Sequence, residues 1–284
     1  MKKRPGFTPI EIIIAIVVVG LIGGGIWYAV RGGKPKESAT PLPTVSSEPK
    51  VADSVDWAWS ETAWVPTANP AGSIIPQCDS PVKFSNAPSD LAKATSVLYP
   101  GQTRGGDYKP HGGFRFDGSK NDAIAVKAIM DGRVTSGARY LEVGEIQYMF
   151  TITNDCGIAY RYDHLLSLSP EFQKLADTLP AAKKDDSRMT NFENPVAVKA
   201  GDIIATAVGH KVNNNISYDL GVYDYRTRNK AASNPAYVAT HKAKAAQAYY
   251  AVCWFEMFPA ADAARIKSLP AGDAKMGKSS DYCL

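Results

Sequence analysis

What this chain of 284 residues lacks narrows its chemistry first. Its four cysteines, Cys78, Cys156, Cys253 and Cys283, show no CxxC spacing, which argues against a structural zinc site. No serine sits in a GxSxG elbow, and no cysteine has histidine and acid partners at a recognisable spacing. Nucleophilic hydrolase chemistry therefore has no framework here. Histidine is scarce at four residues, and the formal net charge of +4 is small for the length. No basic block stands out beyond the first fifty residues, so nucleic acid is not an expected partner.

What is present is most concentrated at the start. Lys2, Lys3 and Arg4 lead into Gly6-Phe7-Thr8-Pro9-Ile10-Glu11, then an apolar run to Val30 in which Glu11 is the only charge. As a helix rising about 1.5 Å per residue, residues 9–30 span roughly 33 Å, enough to cross a hydrocarbon core of about 30 Å. The polar junction precedes the apolar run instead of following it, unlike a cleavable secretory signal. This leader resembles the class III signal of type IV pilins. The resemblance implies that a prepilin peptidase cuts between Gly6 and Phe7 and methylates the new amino terminus. It also makes Glu11 the buried acid that pairs with a neighbouring subunit's terminal amine. Pro9 stands where that family has Leu, and a proline in the first turn loses no intrahelical hydrogen bond.

The other reading of the leader is an uncleaved signal anchor, in which the helix macrodipole favours a carboxylate near the helix start. Gly23-Gly24-Gly25 and Arg31-Gly32-Gly33-Lys34-Pro35 end the helix just past the membrane, which suits an anchor better than a filament shaft. The expected order is a leader over 1–6, a transmembrane helix over 7–31 with lipid around 9–30, and a flexible linker over 32–51. The linker is rich in Pro, Ser, Thr, Glu and Lys and has almost nothing to bury. The chain is then single-pass in the inner or cytoplasmic membrane with its bulk outside, and pilin or secretion-system subunits are expected partners. An even number of cysteines in that compartment suggests two disulfides, for which the sequence admits three pairings. Cys253 and Cys283 bracket one terminal extension and are expected to pair, leaving Cys78 with Cys156.

The remainder reads as mainly β. Period-two alternation broken by Gly or Asn-Asp turns marks short strands over 124–129, 133–134, 146–153, 158–162, 203–208 and 220–223. Helices are expected over 170–179 and 260–269. The fold class is an antiparallel β-sandwich or open barrel over 97–228. An amino-terminal flap over 52–96 precedes it, and a disulfide-linked extension over 229–284 follows. Trp57, Trp59 and Trp64 are expected to pack the flap onto the sheet, the alternative being a carbohydrate platform.

Five local blocks follow one another in the β region. They are His111-Gly112-Gly113-Phe114-Arg115-Phe116; Val126-Lys127-Ala128-Ile129-Met130-Asp131-Gly132-Arg133-Val134; Tyr162-Asp163-His164-Leu165; Val198-Lys199-Ala200-Gly201-Asp202-Ile203-Ile204; and Asp219-Leu220-Gly221-Val222-Tyr223. Their order resembles the lysostaphin-type (LytM-like) zinc metallopeptidases that cut peptidoglycan cross-bridges. That family draws three zinc ligands from the His and Asp of the first block and the second His of the last. Here His111 keeps the first position, Arg115 stands at the second, and Asp219 and Gly221 replace both histidines of the last block. A guanidinium about 5 Å from a divalent ion would oppose it by roughly 7 kcal/mol at an effective dielectric near 20.

The resemblance thus implies a pseudoenzyme with no cofactor, whose cleft of His111, Arg115, His164 and Asp219 binds peptidoglycan or a protein through carboxylate recognition. His164 matches the family's catalytic histidine and here reads as a structural hydrogen-bond partner. His210 and His241 read as surface residues. Two alternatives stay open. One is an active zinc endopeptidase with rearranged ligands, Asp219 foremost and Asp117 next. The other is a structural minor pilin.

Overall fold

The structure, a computed structural model, describes residues 50–184 and 186–283. Gly6, Phe7, Glu11, the apolar run and most of the linker lie outside the described residues, so the expectations placed on them are not addressed by it. No helix among the described residues is long and apolar enough to cross a membrane.

The strands in chain order are β1 (Ser54–Trp59), β2 (Trp64–Asn69), β3 (Ser96–Leu98), β4 (Gln102–Arg104), β5 (Asp107–Lys109), β6 (Gly112–Arg115) and β7 (Val126–Lys127). They continue as β8 (Gly132–Glu142), β9 (Glu145–Thr153), β10 (Ile158–Leu168), β11 (Thr190–Val198), β12 (Ile203–Val208) and β13 (Ser217–Asp224). The helices are α1 (Pro170–Asp177), α2 (Pro235–His241), α3 (Ala245–Ala248) and α4 (Ala260–Ser268). Among the described residues, nine strands belong to one antiparallel sheet, ordered β11-β8-β9-β10-β13-β6-β3, with β12 paired to β10 and to β7. The sheet branches because β10 pairs with β13 up to Asp163 and with β12 from Leu165 onward. The mainly antiparallel β class expected from the sequence is present, its largest sheet branched at β10.

Alternation decides which face each side chain meets. Tyr160 and Tyr162 of β10, and Tyr218, Leu220 and Val222 of β13, enter one core with Phe114, Phe150 and Trp254. The buried tyrosines have hydroxyl partners: Tyr160 donates to Met130 O, Tyr162 to Lys127 O, and Tyr218 shares a 2.8 Å bond with Ser89. Arg161, Asp163, Asp219 and Gly221 take the opposite face. Part of that face is covered by the β1–β2 hairpin, where Trp64 stacks on Tyr225 at 3.7 Å and donates its indole N–H to Ala246 O. The tryptophans are therefore packed against tyrosines of the extension and β13 edge. Two disulfides, Cys78–Cys156 and Cys253–Cys283, are the pairs expected from position in the chain.

Two turns set up the functional face. β8 and β9 join through Val143 and Gly144, both at positive φ (51° and 80°), the backbone of a two-residue hairpin turn that leaves Glu142 paired with Glu145. After β12, Gly209 adopts φ 79°, and a Cβ there would run into Asn215 O. Gly209 N–H donates to His164 O at 2.8 Å and Gln147 donates to Gly209 O at 3.1 Å, so the next residue, His210, is held beside His164.

Candidate functional site

His111 enters the site at the start of β6, opposite Asp219 of β13 and within reach of Arg161 on β10. Its Nε2 lies 2.9 Å from Asp219 Oδ2 and its Nδ1 2.6 Å from an Arg161 guanidinium nitrogen. Arginine only donates, so Nδ1 is the acceptor and the ring proton sits on Nε2, pointing at the carboxylate. His111 and Arg161 are 7% and 8% exposed. Burial pushes His111 down to about 4; Asp219 opposes this, and the charges of Arg161 and Arg104 add to it. For Asp219 burial acts upward, yet His111, His164 and Arg104 outweigh it and hold the carboxyl well below its usual range. At neutral pH the centre is a neutral imidazole between a cation and a carboxylate.

A metal at the position implied by the sequence resemblance does not fit these residues. His111 has its one ring lone pair turned to Arg161. Arg115 does not enter the cleft: it pairs with Asp117 at 2.9 Å, and its side chain is a third exposed. Although two-residue alternation puts it on the face of His111, four residues along an extended strand carry it about 13 Å away. At Gly221 an added Cβ would meet the Tyr223 hydroxyl and ring, so a phenol already fills the space of a third ligand. The guanidinium that opposes a cation is thus Arg161, cross-strand from Gly221, and not the Arg115 expected from sequence. Asp117, weighed as a substitute ligand, also lies away from the cleft, bonded to Arg115 and Thr95.

His164, His111 and Asp219 do converge. His164 Nε2 is 3.6 Å from Asp219 Oδ2, and its Nδ1 is 3.4 Å from both Glu142 Oε2 and the Tyr140 hydroxyl. Its tyrosine neighbour is Tyr140 of β8, whose hydroxyl donates to Asp163 Oδ1. Burial acts to lower the pKa of His164, but Asp163, Asp219 and Glu142 raise it above its ordinary value. His210 is not a surface residue: it is 4% exposed, and both ring nitrogens are buried without a hydrogen-bond partner. Its Nε2 stands 3.8 Å from Glu142 Oε2. His241 stacks on Tyr108 at 3.7 Å, away from this group. Sequence reasoning missed Arg161, Asp163, Glu142 and Tyr140, which fall outside the matched ligand positions; alternation on β10 could have flagged Arg161 and Asp163.

The site opens into a cleft of about 800 Å³ floored by His111, Arg161 and Asp163 and walled by Trp59, Tyr108 and Tyr249. Lys109, Arg228, Lys242 and Lys244 also border it, against Glu61 and Asp107. A smaller recess of about 260 Å³ adjoins it at Lys109, His111 and Asp163 and reaches Glu142, His164 and Asp219.

No family model and no curated protein matches this chain. A solved structure to which it is similar is a LytM glycyl-glycine endopeptidase from Ruminococcus gnavus, at 17% identity and a TM-score of 0.26, over 46% of this chain and 53% of that one. The chain therefore spans about half the length of the structure it matches.

Proposed function

We propose that the described domain is a binding module of the cell envelope that does not hydrolyse its ligand at His111. Its ligands are carboxylate-bearing peptides, with the stem peptides of peptidoglycan as the substrate class the cleft suits. The observation that carries this reading is the engagement of both His111 nitrogens by Arg161 and Asp219, which leaves no lone pair for a catalytic cation. The cleft supplies the positive recognition: five cations border it against three carboxylates. A planar guanidinium on its rim, as at Arg228, suits a carboxylate bonded through two parallel donors. Arg228 is fixed over the Tyr249 ring at 5.3 Å, so the rim combines a cation with an aromatic surface.

We propose further that the domain is held outside the cytoplasm through the apolar run of residues 9–30 behind the pilin-type leader. Two disulfides, with no free cysteine among the described residues, support an oxidising compartment. The full chain is expected to sediment with purified peptidoglycan in the presence of chelator, and Arg228→Ala together with Lys242→Ala to reduce that binding. Cleavage of peptidoglycan that is lost in His111→Ala would overturn the non-hydrolytic reading. For the leader, changing Gly6 to a bulky residue should block processing; unchanged mobility of the mature chain would leave the signal-anchor reading in its place.

A further inference from the structure

We infer that Glu142, His164 and His210 form a binding site for a divalent transition cation, zinc foremost, at a place distinct from the His111 position. The inference stands apart from the peptide-binding reading and draws on different residues. One donor atom from each of the three lies within 4.8 Å of the other two. Glu142 Oε2 is 3.4 Å from His164 Nδ1 and 3.8 Å from His210 Nε2. Zinc bonds of about 2.0–2.2 Å at tetrahedral angles put donors about 3.4 Å apart, so small side-chain movements complete the set.

His210 supplies the independent observation. An imidazole with both nitrogens buried and unpartnered leaves polar groups unsatisfied in the interior, at a cost the fold would otherwise have to absorb. At 3.8 Å the Glu142 carboxylate is beyond hydrogen-bond reach, yet it is where a shared cation would be held. The backbone is built to bring these rings together: Gly209 N–H is tied to His164 O, and the rings face each other edge-on at 5.2 Å.

The neighbouring trio of Asp163, His164 and Asp219 is also close enough for a cation, but one oxygen of each carboxylate is already engaged. Asp163 Oδ1 accepts from Tyr140 and from the His164 amide, and Asp219 Oδ2 lies on His111 Nε2. That commitment gives Asp219 a different part. With His164 Nδ1 on the metal, its Nε2–H faces Asp219 at 3.6 Å, the carboxylate partner that orients a ligating histidine. Two imidazoles and one carboxylate form the donor set that suits zinc and leaves a fourth position open, and two of the three, Glu142 and His164, also line the 260 Å³ recess.

The test strips the full chain with chelator and titrates it with Co²⁺ and Zn²⁺, reading metal content and the visible absorption of four-coordinate Co²⁺. One ion per chain is expected. Binding should weaken by about a hundredfold or more in His210→Ala and Glu142→Gln, by about 10- to 100-fold in Asp219→Asn, and less in His111→Ala. The Glu142 side chain is 40% exposed, so Glu142→Gln reads binding without threatening the fold. No bound metal at saturating Zn²⁺, or binding lost in His111→Ala and retained in His210→Ala and Glu142→Gln, overturns the inference. Peptidoglycan binding is measured in chelator, so that reading and this one fail separately.

Discussion

Mild acid singles out His111. Its folded pKa of about 4 stands against an ordinary 6.5, with burial the largest cause, Asp219 opposing, and Arg161 and Arg104 reinforcing. The unfolded chain therefore takes up a proton between pH 6.5 and 4 that the folded chain refuses. Stability from this residue is complete above pH 6.5 and is lost as pH falls toward 4. At pH 5 the unfolded imidazole is almost fully charged and the folded one about a tenth charged, which works out at about 2 kcal/mol lost relative to pH 7. With a urea dependence of about 3 kcal/mol per molar, the midpoint should drop by about 0.6 M. Neighbouring groups differ in window or in sign. The pKa of His164 is raised, so its contribution is present below 6.5 and lost as pH rises through its folded value. That of Asp219 is depressed, so its contribution is lost only below its ordinary 3.8. His241, lowered mainly by burial, moves in the same sense as His111 and needs its own control. Urea unfolding at pH 7, 6 and 5, in chelator, should show the slope in the parent and in His241→Gln. It should be flattened in His111→Gln, whose amide can still accept from Arg161 and donate to Asp219. A His111→Gln protein that keeps the parental slope would refute the burial argument.

The Tyr223 hydroxyl is buried without a partner, so Tyr223→Phe should leave thermal stability unchanged or raise it by up to about 1 kcal/mol. Gly221→Ala should cost about 1–3 kcal/mol by forcing a Cβ onto that ring, and less in a Tyr223→Leu background; strictly additive costs would show that the two do not meet. Removing the Cys253–Cys283 bond, which spans 30 residues, should cost about 3.7 kcal/mol, and the 78-residue Cys78–Cys156 bond about 4.5 kcal/mol, measured by urea unfolding of paired Cys→Ser variants. The reverse order would show that chain entropy is not the governing factor.

The strands legible in the sequence are those whose apolar residues alternate, whether one face or both is buried. β9, β10, β12 and β13 carry apolar residues at every second position, and α1 and α4 fall within a residue or two of their expected bounds. β11 gave no such signal: its residues are mostly exposed, with Pro195 inside it, as an edge strand permits. β8 runs to Glu142 through Ser-Gly-Ala-Arg, small and polar residues that read as a break, because β9 and β11 on either side supply the pairing. At the site, family positions led to His111, His164 and Asp219 but also to Arg115, since a block match carries no information on where a side chain ends up. His210 sits in a polar stretch that looks like a surface turn. It is buried because the chain doubles back, with His210 and Asn215 exchanging backbone hydrogen bonds over a loop that only Gly209 can enter.

His164 joins Asp163 against the alternation of the strand, and the reason also yields a test. Adjacent residues on a strand face opposite sides, so Asp163 and His164 should not share a site. They do because β10 slips register between Tyr162 and Leu165, and His164 takes a left-handed backbone at φ 61°. A non-glycine residue in that region costs roughly 1–2 kcal/mol, and the Asp163 carboxylate accepting the His164 amide at 2.8 Å offsets part of it. Glycine has no such cost, whereas in a regular strand it is worse than alanine by roughly 0.5–1 kcal/mol. The two conformations therefore predict opposite signs. His164→Gly should be more stable than His164→Ala by about 1 kcal/mol in urea unfolding under chelator, since both lose the ring and only one loses the strain. Alanine as the more stable variant would mean that His164 lies in ordinary extended backbone. Its ring would then turn away from Asp163, and the convergence of Glu142, His164 and His210 would fall with it.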